Sequence, residues 1–190
     1  MNNLGGELGG KLERVARWVL DSQYVVALVG AGLSVESGIP PFRGPGGLWT
    51  RYGQPSMLSY QEFARDPRLW WETRLRDEVE LGNPVYELRR AVDQATPNAG
   101  HYALVELERW GVLKYSITQN VDDLQRRAGG VALVEVHGNR TRLRCISCGS
   151  RLLREGFPIV ELPPRCPECG GILKLDTVMF GEAIPAPVLQ

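Results

Sequence analysis

The chain has 190 residues, 43% of them hydrophobic and 23% charged, which is the profile of a folded protein of one domain or one domain with a small second. Twenty-two basic residues offset twenty-two acidic ones, so net charge gives no argument for a nucleic-acid or polyanion partner. No apolar run approaches the roughly 20 residues that span a bilayer, and Met1–Glu7 has neither the basic nor the apolar stretch of a secretory signal. The expectation is a cytoplasmic protein with no membrane partner.

Residues 11–22 set Leu12, Val15, Ala16, Val19 and Leu20 on one helical face. Val25–Val29 is a short unbroken apolar run, the pattern of a strand buried on both faces of a parallel sheet, and it ends in Gly30-Ala31-Gly32. A polar, Pro- and Gly-rich stretch follows from Ser34 to about Ser59. Helices are predicted around Pro67–Leu81, Val85–Gln94 and Ala99–Trp110, the last stopped by Gly111. Lys114–Thr118 and Val131–Val136 read as the second and third strands, and Asp176–Phe180 as a fourth. The pattern is α/β with a parallel, Rossmann-like sheet.

Between the third and fourth strands stand the chain's four cysteines, Cys145, Cys148, Cys166 and Cys169. Two Cys-x2-Cys pairs separated by 17 residues fall within the spacing of a four-thiolate zinc site. Four thiolates close a tetrahedral shell, so one structural Zn2+ with no chemistry of its own is expected. Two disulfides are the alternative, which a cytosolic setting disfavours. The 17-residue spacer, Gly149–Arg165, offers few apolar residues, so metal binding is expected to supply much of that module's folding energy. The domain division predicted is 11–140 with 174–190 for the parallel sheet, and 141–173 for an inserted zinc ribbon.

Polar and glycine residues gather where the predicted strands end, which is where an open parallel sheet binds ligands. Gly30-Ala31-Gly32 lets backbone N–H groups approach a phosphate. The dinucleotide fingerprint G-x-G-x-x-G is incomplete, since Val35 replaces its last glycine, and Thr50 and Arg51 stand where a ribose-binding acid would be. A hydride-transferring dehydrogenase is thus poorly supported. His137 ends one strand, and Gln119, Asn120 and Asp122 end another. Histidine is the side chain best suited to take a proton near neutral pH, so His137 reads as a general base. His101, near a helix start, reads as structural. Asp122 and Asp123 read equally as caps of the helix that follows them.

Taken in order, these segments resemble the sirtuins, the NAD-dependent protein lysine deacylases. Gly30-Ala31-Gly32-Leu33-Ser34-Val35-Glu36-Ser37-Gly38-Ile39-Pro40-Pro41-Phe42-Arg43-Gly44, with Gly46-Gly47-Leu48-Trp49, looks like their cofactor signature. Thr118-Gln119-Asn120-Val121-Asp122-Asp123-Leu124 looks like their second, and His137-Gly138, the four cysteines and Val178-Met179-Phe180-Gly181-Glu182 complete the series. Pro41 stands where many members are acidic. The Tyr-x-x-Arg pair of the succinyl- and malonyl-selective members is absent from Trp70-Trp71-Glu72-Thr73-Arg74-Leu75-Arg76-Asp77, so acetyl is the acyl group expected.

The resemblance implies that NAD is consumed as a co-substrate. The carbonyl oxygen of an acetylated lysine on a protein attacks the ribose carbon that bears nicotinamide, and an alkylamidate forms. His137 takes a proton from the ribose hydroxyls, the 2′-hydroxyl attacks the amidate, and free lysine and acetyl-ADP-ribose result. It also implies that Asn120 orients the ribose, that Asp122 and the Val121 backbone hold the nicotinamide amide, and that Phe42 shields the site. Gly30, Ala31, Gly32, Ser34, Val35, Arg43, Gln119 and His137 line the cofactor, and Val178, Phe180, Gly181 and Glu182 face the peptide. Relatives continue past Gln190 with further sheet and two turns that hold the adenosine half of NAD. The sheet is therefore expected to be incomplete on its C-terminal side, with weak NAD binding and self-association of the chain as it stands. Protein ADP-ribosylation on the same site, or a non-enzymatic zinc-ribbon interaction module, are the rival readings.

Overall fold

A computed structural model describes residues 4–188. In chain order the elements are α1 (Leu4–Asp21), β1 (Val25–Val29), α2 (Leu48–Tyr52), α3 (Ser59–Arg65), α4 (Pro67–Asp77), α5 (Pro84–Gln94), α6 (Ala99–Arg109), β2 (Leu113–Thr118), α7 (Leu124–Arg127), β3 (Leu133–Glu135), β4 (Gly138–Cys145), β5 (Arg151–Leu153) and β6 (Leu173–Thr177). A 3-10 turn, Ala31–Ser37, follows β1 directly, and a second covers Ala186–Val188. No helix among the described residues is long and apolar enough to cross a membrane.

β1, β2 and β3 form a parallel sheet in that order, with Val29 opposite Thr118 and Thr118 opposite Glu135. All three strands therefore deliver their carboxyl ends to one side. β4, β5 and β6 form a separate antiparallel sheet with β4 at its centre. This corrects the fourth predicted strand. It lies at Leu173–Thr177 rather than Asp176–Phe180, and it pairs with β4 instead of extending the parallel sheet. The reason is that Leu173 and Leu175 fill the core beneath β4, while Val178–Glu182 turns away, with Glu182 N–H donating to Met179 O at 3.0 Å.

The cysteine-bearing sheet shares its core with the helices. Leu143, Cys145, Cys166, Leu173 and Leu175 pack with Phe63 of α3 and Trp71 of α4, all of them buried. Leu152, Phe157, Ile159 and Leu162, all from the spacer, pack against this cluster. Trp71 Nε1 donates to Leu173 O at 2.9 Å, so the indole satisfies its one polar group within the core. The spacer thus has a core, borrowed from the helices. Glu78, just past α4, is buried and pairs with Arg74 at 2.8 Å and with Arg154 beyond β5. Burial alone would raise its pKa, but the hydrogen bond from Arg154 and the charge of Arg74 hold it below its ordinary value.

Two apolar faces read from the pattern are open to solvent. Val26 and Leu28 of β1 are 43% and 71% exposed, and Leu12, Val15 and Leu20 of α1 are exposed as well. Among the described residues β1 pairs only with β2, and α6 packs chiefly on β2. α6 itself starts in a capping box. Asn98 Oδ1 accepts from Gly100 and His101 N–H, and His101 Nδ1 accepts from Asn98 N–H. The Asn98 amide reaches further, donating to Leu33 O at 2.7 Å and to Ser37 Oγ at 3.0 Å. One side chain thereby caps a helix and pins the turn after β1. Asn98→Ala is expected to cost about 2 kcal/mol, the upper part of the range for a lost N-cap. Urea denaturation at constant slope checks this.

Candidate functional site

The turn after β1, the loop after β2 and the residue after β3 meet at one end of the parallel sheet. Gly30 is extended (φ −132°) and opens the 3-10 turn, and Gly38 closes it in the left-handed conformation (φ +88°). Ser34 is buried inside that turn, and its hydroxyl donates to Asp122 Oδ2 at 2.6 Å. Asn120 Nδ2 donates to Gly30 O at 3.0 Å and to Ser34 Oγ at 3.1 Å. Gln119 N–H donates to Val29 O, continuing the β1–β2 ladder to the edge of the site. Gly30, Ser34, Asn120 and Asp122 are therefore one bonded unit across two strand ends.

Asp122 Oδ1 also accepts from Leu124 N–H at 3.0 Å, so the capping role falls to Asp122. Asp123 makes no cap. It takes φ +68°, and its carboxylate accepts from Asn139 at 2.6 Å. A non-glycine residue held left-handed is costly, and Asn139 bridges it to Glu135, which Arg126 grips with two N–H groups. Asn139, Glu135 and Arg126 were not singled out from the sequence. Nothing in their spacing marks them, since they meet only through the fold.

His137 is half-buried, and its Nδ1 lies 3.0 Å from Gln119 O. A carbonyl only accepts, so Nδ1 carries a proton, and in the neutral ring Nε2 is the acceptor. Its backbone is held from both sides. Val136 N–H donates to Thr118 O, and His137 O accepts from Val178 N–H at 2.9 Å. Gly138 has φ +75°, and a Cβ there would sit 1.9 Å from Asp176 O. Only glycine allows β4 to leave His137 this close to β6.

Phe42 and Arg43 lie in the loop between the 3-10 turn and α2. Trp49 N–H donates to Phe42 O, and Leu48 N–H donates to Pro41 O, folding the loop back on α2. Arg43 stacks over the Trp49 ring at 4.7 Å, and Phe42 and Phe180 flank that ring at 5.4 and 5.8 Å. Trp49 thus joins the cofactor-signature loop to Val178–Glu182. Ala31 is half-buried, and Gly32, Val35 and Gln119 are exposed at this rim. Val121 O is taken by Arg140 N–H. Of the predicted peptide-side residues, Val178 bonds His137, Phe180 O accepts from Tyr60 N–H, and Gly181 (φ +81°) sits against Gln61. The carboxylate of Glu182 turns inward and is almost fully buried.

The four cysteine sulfurs lie within 4.8 Å of one another. Cys145–Cys169 and Cys148–Cys166 are 3.5 and 3.8 Å apart, against about 3.8 Å for the edge of a tetrahedron with 2.3 Å Zn–S bonds. All four are free thiols, with no disulfide. Burial would raise the Cys145 pKa, yet N–H groups of Cys148 and Ser147 bring it down to about 6. Cys148 moves the other way: the Ser150 N–H favours its thiolate, but the neighbouring sulfurs outweigh that. A cluster that favours one thiolate and resists a second is one that a divalent cation completes. The donor set fits zinc.

The Sir2 family model matches residues 30–190. The chain is 46% identical over 172 residues to an NAD-dependent protein deacylase of Pyrobaculum aerophilum, covering 90% of this chain and 64% of that one. It is 46% identical over 176 residues to an NAD-dependent protein deacylase of Aeropyrum pernix, covering 92% and 66%. Among solved structures, a Sir2 homologue bound to NAD superposes with a TM-score of 0.69 at 43% identity, covering 93% of this chain and 65% of that one. A mutant Sir2 homologue bound to ADP-ribose gives 0.72 at 42%, covering 93% and 67%. The chain therefore spans about two thirds of the length of the relatives it matches.

Proposed function

The chain belongs to the Sir2 family, and on that premise we propose that it carries the strand-end chemistry of an NAD-dependent protein lysine deacetylase. The observation that carries this reading is the 3.0 Å contact between His137 Nδ1 and Gln119 O. With Nδ1 committed to Gln119 O, Nε2 of the neutral ring is a proton acceptor, held on the loop that also carries Asn120 and Asp122. NAD enters as a substrate. Asn120, fastened to Gly30 and Ser34, presents its amide carbonyl to the ribose, and Asp122 fixes the loop whose Val121 backbone meets nicotinamide. His137 Nε2 draws the proton from the ribose hydroxyl that attacks the acyl carbon. Phe42 and Trp49 close an apolar wall that keeps water from the activated ribose.

The peptide lies extended against Val178–Glu182, where main-chain hydrogen bonds supply binding with little demand on sequence. The protein partner is one bearing acetylated lysine. The acyl group proposed is acetyl, since the Tyr-x-x-Arg pair of the succinyl- and malonyl-selective members is absent from residues 70–77. The compartment proposed is the cytoplasm, where the four thiols stay reduced for metal. Mass spectrometry of paired acetyl- and succinyl-lysine peptides with protein and NAD tests this. Loss of the acetyl group alone is expected. ADP-ribose on protein with both peptides intact would contradict it.

A further inference from the structure

Beneath Val178–Glu182 lies a set of buried charges that this chemistry does not use. Lys174 of β6 is wholly buried. Its ammonium donates to Leu175 O at 2.9 Å and Thr177 O at 2.7 Å, and stands 3.1 Å from Glu182 Oε2. The same carboxylate oxygen accepts from Met179 N–H at 2.9 Å. Its other oxygen takes the guanidinium of Arg144, from β4. Arg144 Nε also lies 3.1 Å from Asp176 Oδ1, outside hydrogen-bond alignment, and Arg151 Nε lies 3.0 Å from Asp176 Oδ2.

One carboxylate is therefore gripped by cations from two strands of the metal-bearing sheet and by a main-chain N–H of the turn itself. Such an arrangement is expensive to bury and weak evidence for stability alone. Burial draws the Lys174 ammonium down to about 8, with Glu182 opposing the fall, so it is still charged at neutral pH. The other attachments of the turn lie at its near end and middle: Val178 on His137, Phe180 on Tyr60 and Trp49. At the far end Gly181 O has only a 3.5 Å contact with Gln61, so Glu182 is the firm anchor there.

We propose that Lys174 and Arg144 are positioning residues which, through Glu182, set Val178–Glu182 at the spacing an added substrate strand requires, and so couple the metal-bearing sheet to peptide recognition. The proposal rests on the reading that the peptide lies against this segment. Strand addition needs a firm edge, because main-chain hydrogen bonds weaken steeply when misaligned.

In the purified protein, Lys174→Met is expected to raise the KM for an acetylated peptide about tenfold, an equivalent of about 1.4 kcal/mol. The KM for NAD, kcat and the zinc content stay near wild type. Amide hydrogen exchange over Met179–Glu182 accelerates by about the same factor. In a Glu182→Gln background, Lys174→Met should add nothing to the peptide KM, since the two act as one unit. Unchanged exchange, an unchanged peptide KM, or additive effects in the double variant each overturn the proposal. Should Lys174→Met fail to fold, Arg144→Lys keeps the charge but cannot span both carboxylates, and carries the same expectations. Wild-type protein that leaves acetyl-lysine untouched contradicts the deacetylase reading instead, and the exchange rates then decide the anchoring.

Discussion

His137→Ala is expected to lower lysine deacetylation by orders of magnitude while leaving the fold intact. The ring makes one side-chain bond, from Nδ1 to Gln119 O, and lies outside both buried clusters, so its loss leaves no cavity in the core. What disappears is the acceptor at Nε2. General-base catalysis is worth about 10²–10⁴-fold, so deacetylation should fall by at least the lower of these. Exchange of labelled nicotinamide into NAD precedes the proton transfer and should fall less. Comparing the two rates on one preparation separates the base from the binding site. Exchange and deacetylation lost in equal measure, with the melting temperature unchanged, would show that His137 binds NAD and does not act as the base.

Loss of the metal acts on stability instead. Cys145 and Cys166 are buried in the same cluster as Phe63, Trp71, Leu173 and Leu175, so the ion braces the sheet on which α3 and α4 rest. Metal analysis is expected to find one zinc per chain. Cys166→Ala, or chelation, removes a ligand and leaves thiolates packed together without a cation. The cost should exceed about 4 kcal/mol, the range reserved for losses of this kind. Trp71 reports it directly, since its indole is fully buried against Leu173, and its fluorescence should shift to the red on chelation. The turn Val178–Glu182 should loosen with it, because Arg144 and Lys174 belong to that sheet. An iron–sulfur spectrum, or full stability without metal, would contradict this account.

Much of this was legible in the residues. The Val25–Val29 run, the cysteine spacing and the polar residues at Gln119–Asp122 mark a strand, a four-cysteine cluster and a polar loop at the strand ends by local pattern alone. Less legible was whatever depends on partners distant in sequence. Nothing local marks Lys174 as a core residue, yet it is wholly buried because Glu182 and the Leu175 and Thr177 carbonyls receive its ammonium. Asp176–Phe180 reads as a strand by composition, but the core under β4 places the strand three residues earlier. Val26 and Leu28 have the apolar character of a strand covered on both faces, while one face is open among the described residues. Periodicity reports that a face is apolar, and only the packing says what covers it. Trp49 is legible only as part of the signature that ends in Gly46-Gly47-Leu48-Trp49. Its role as the hub between Phe42, Arg43 and Phe180 follows from three loops converging.

The central claim is that NAD is spent as a substrate at the strand-end cluster around His137. The most direct measurement is a time course in which nicotinamide, deacetylated peptide and acetyl-ADP-ribose are quantified together in one reaction. The account predicts that the three rise in equal amounts, and that none rises when either NAD or the acetylated peptide is left out. Deacetylation without NAD, or nicotinamide released with free acetate and unmodified ADP-ribose as the first products, would contradict it.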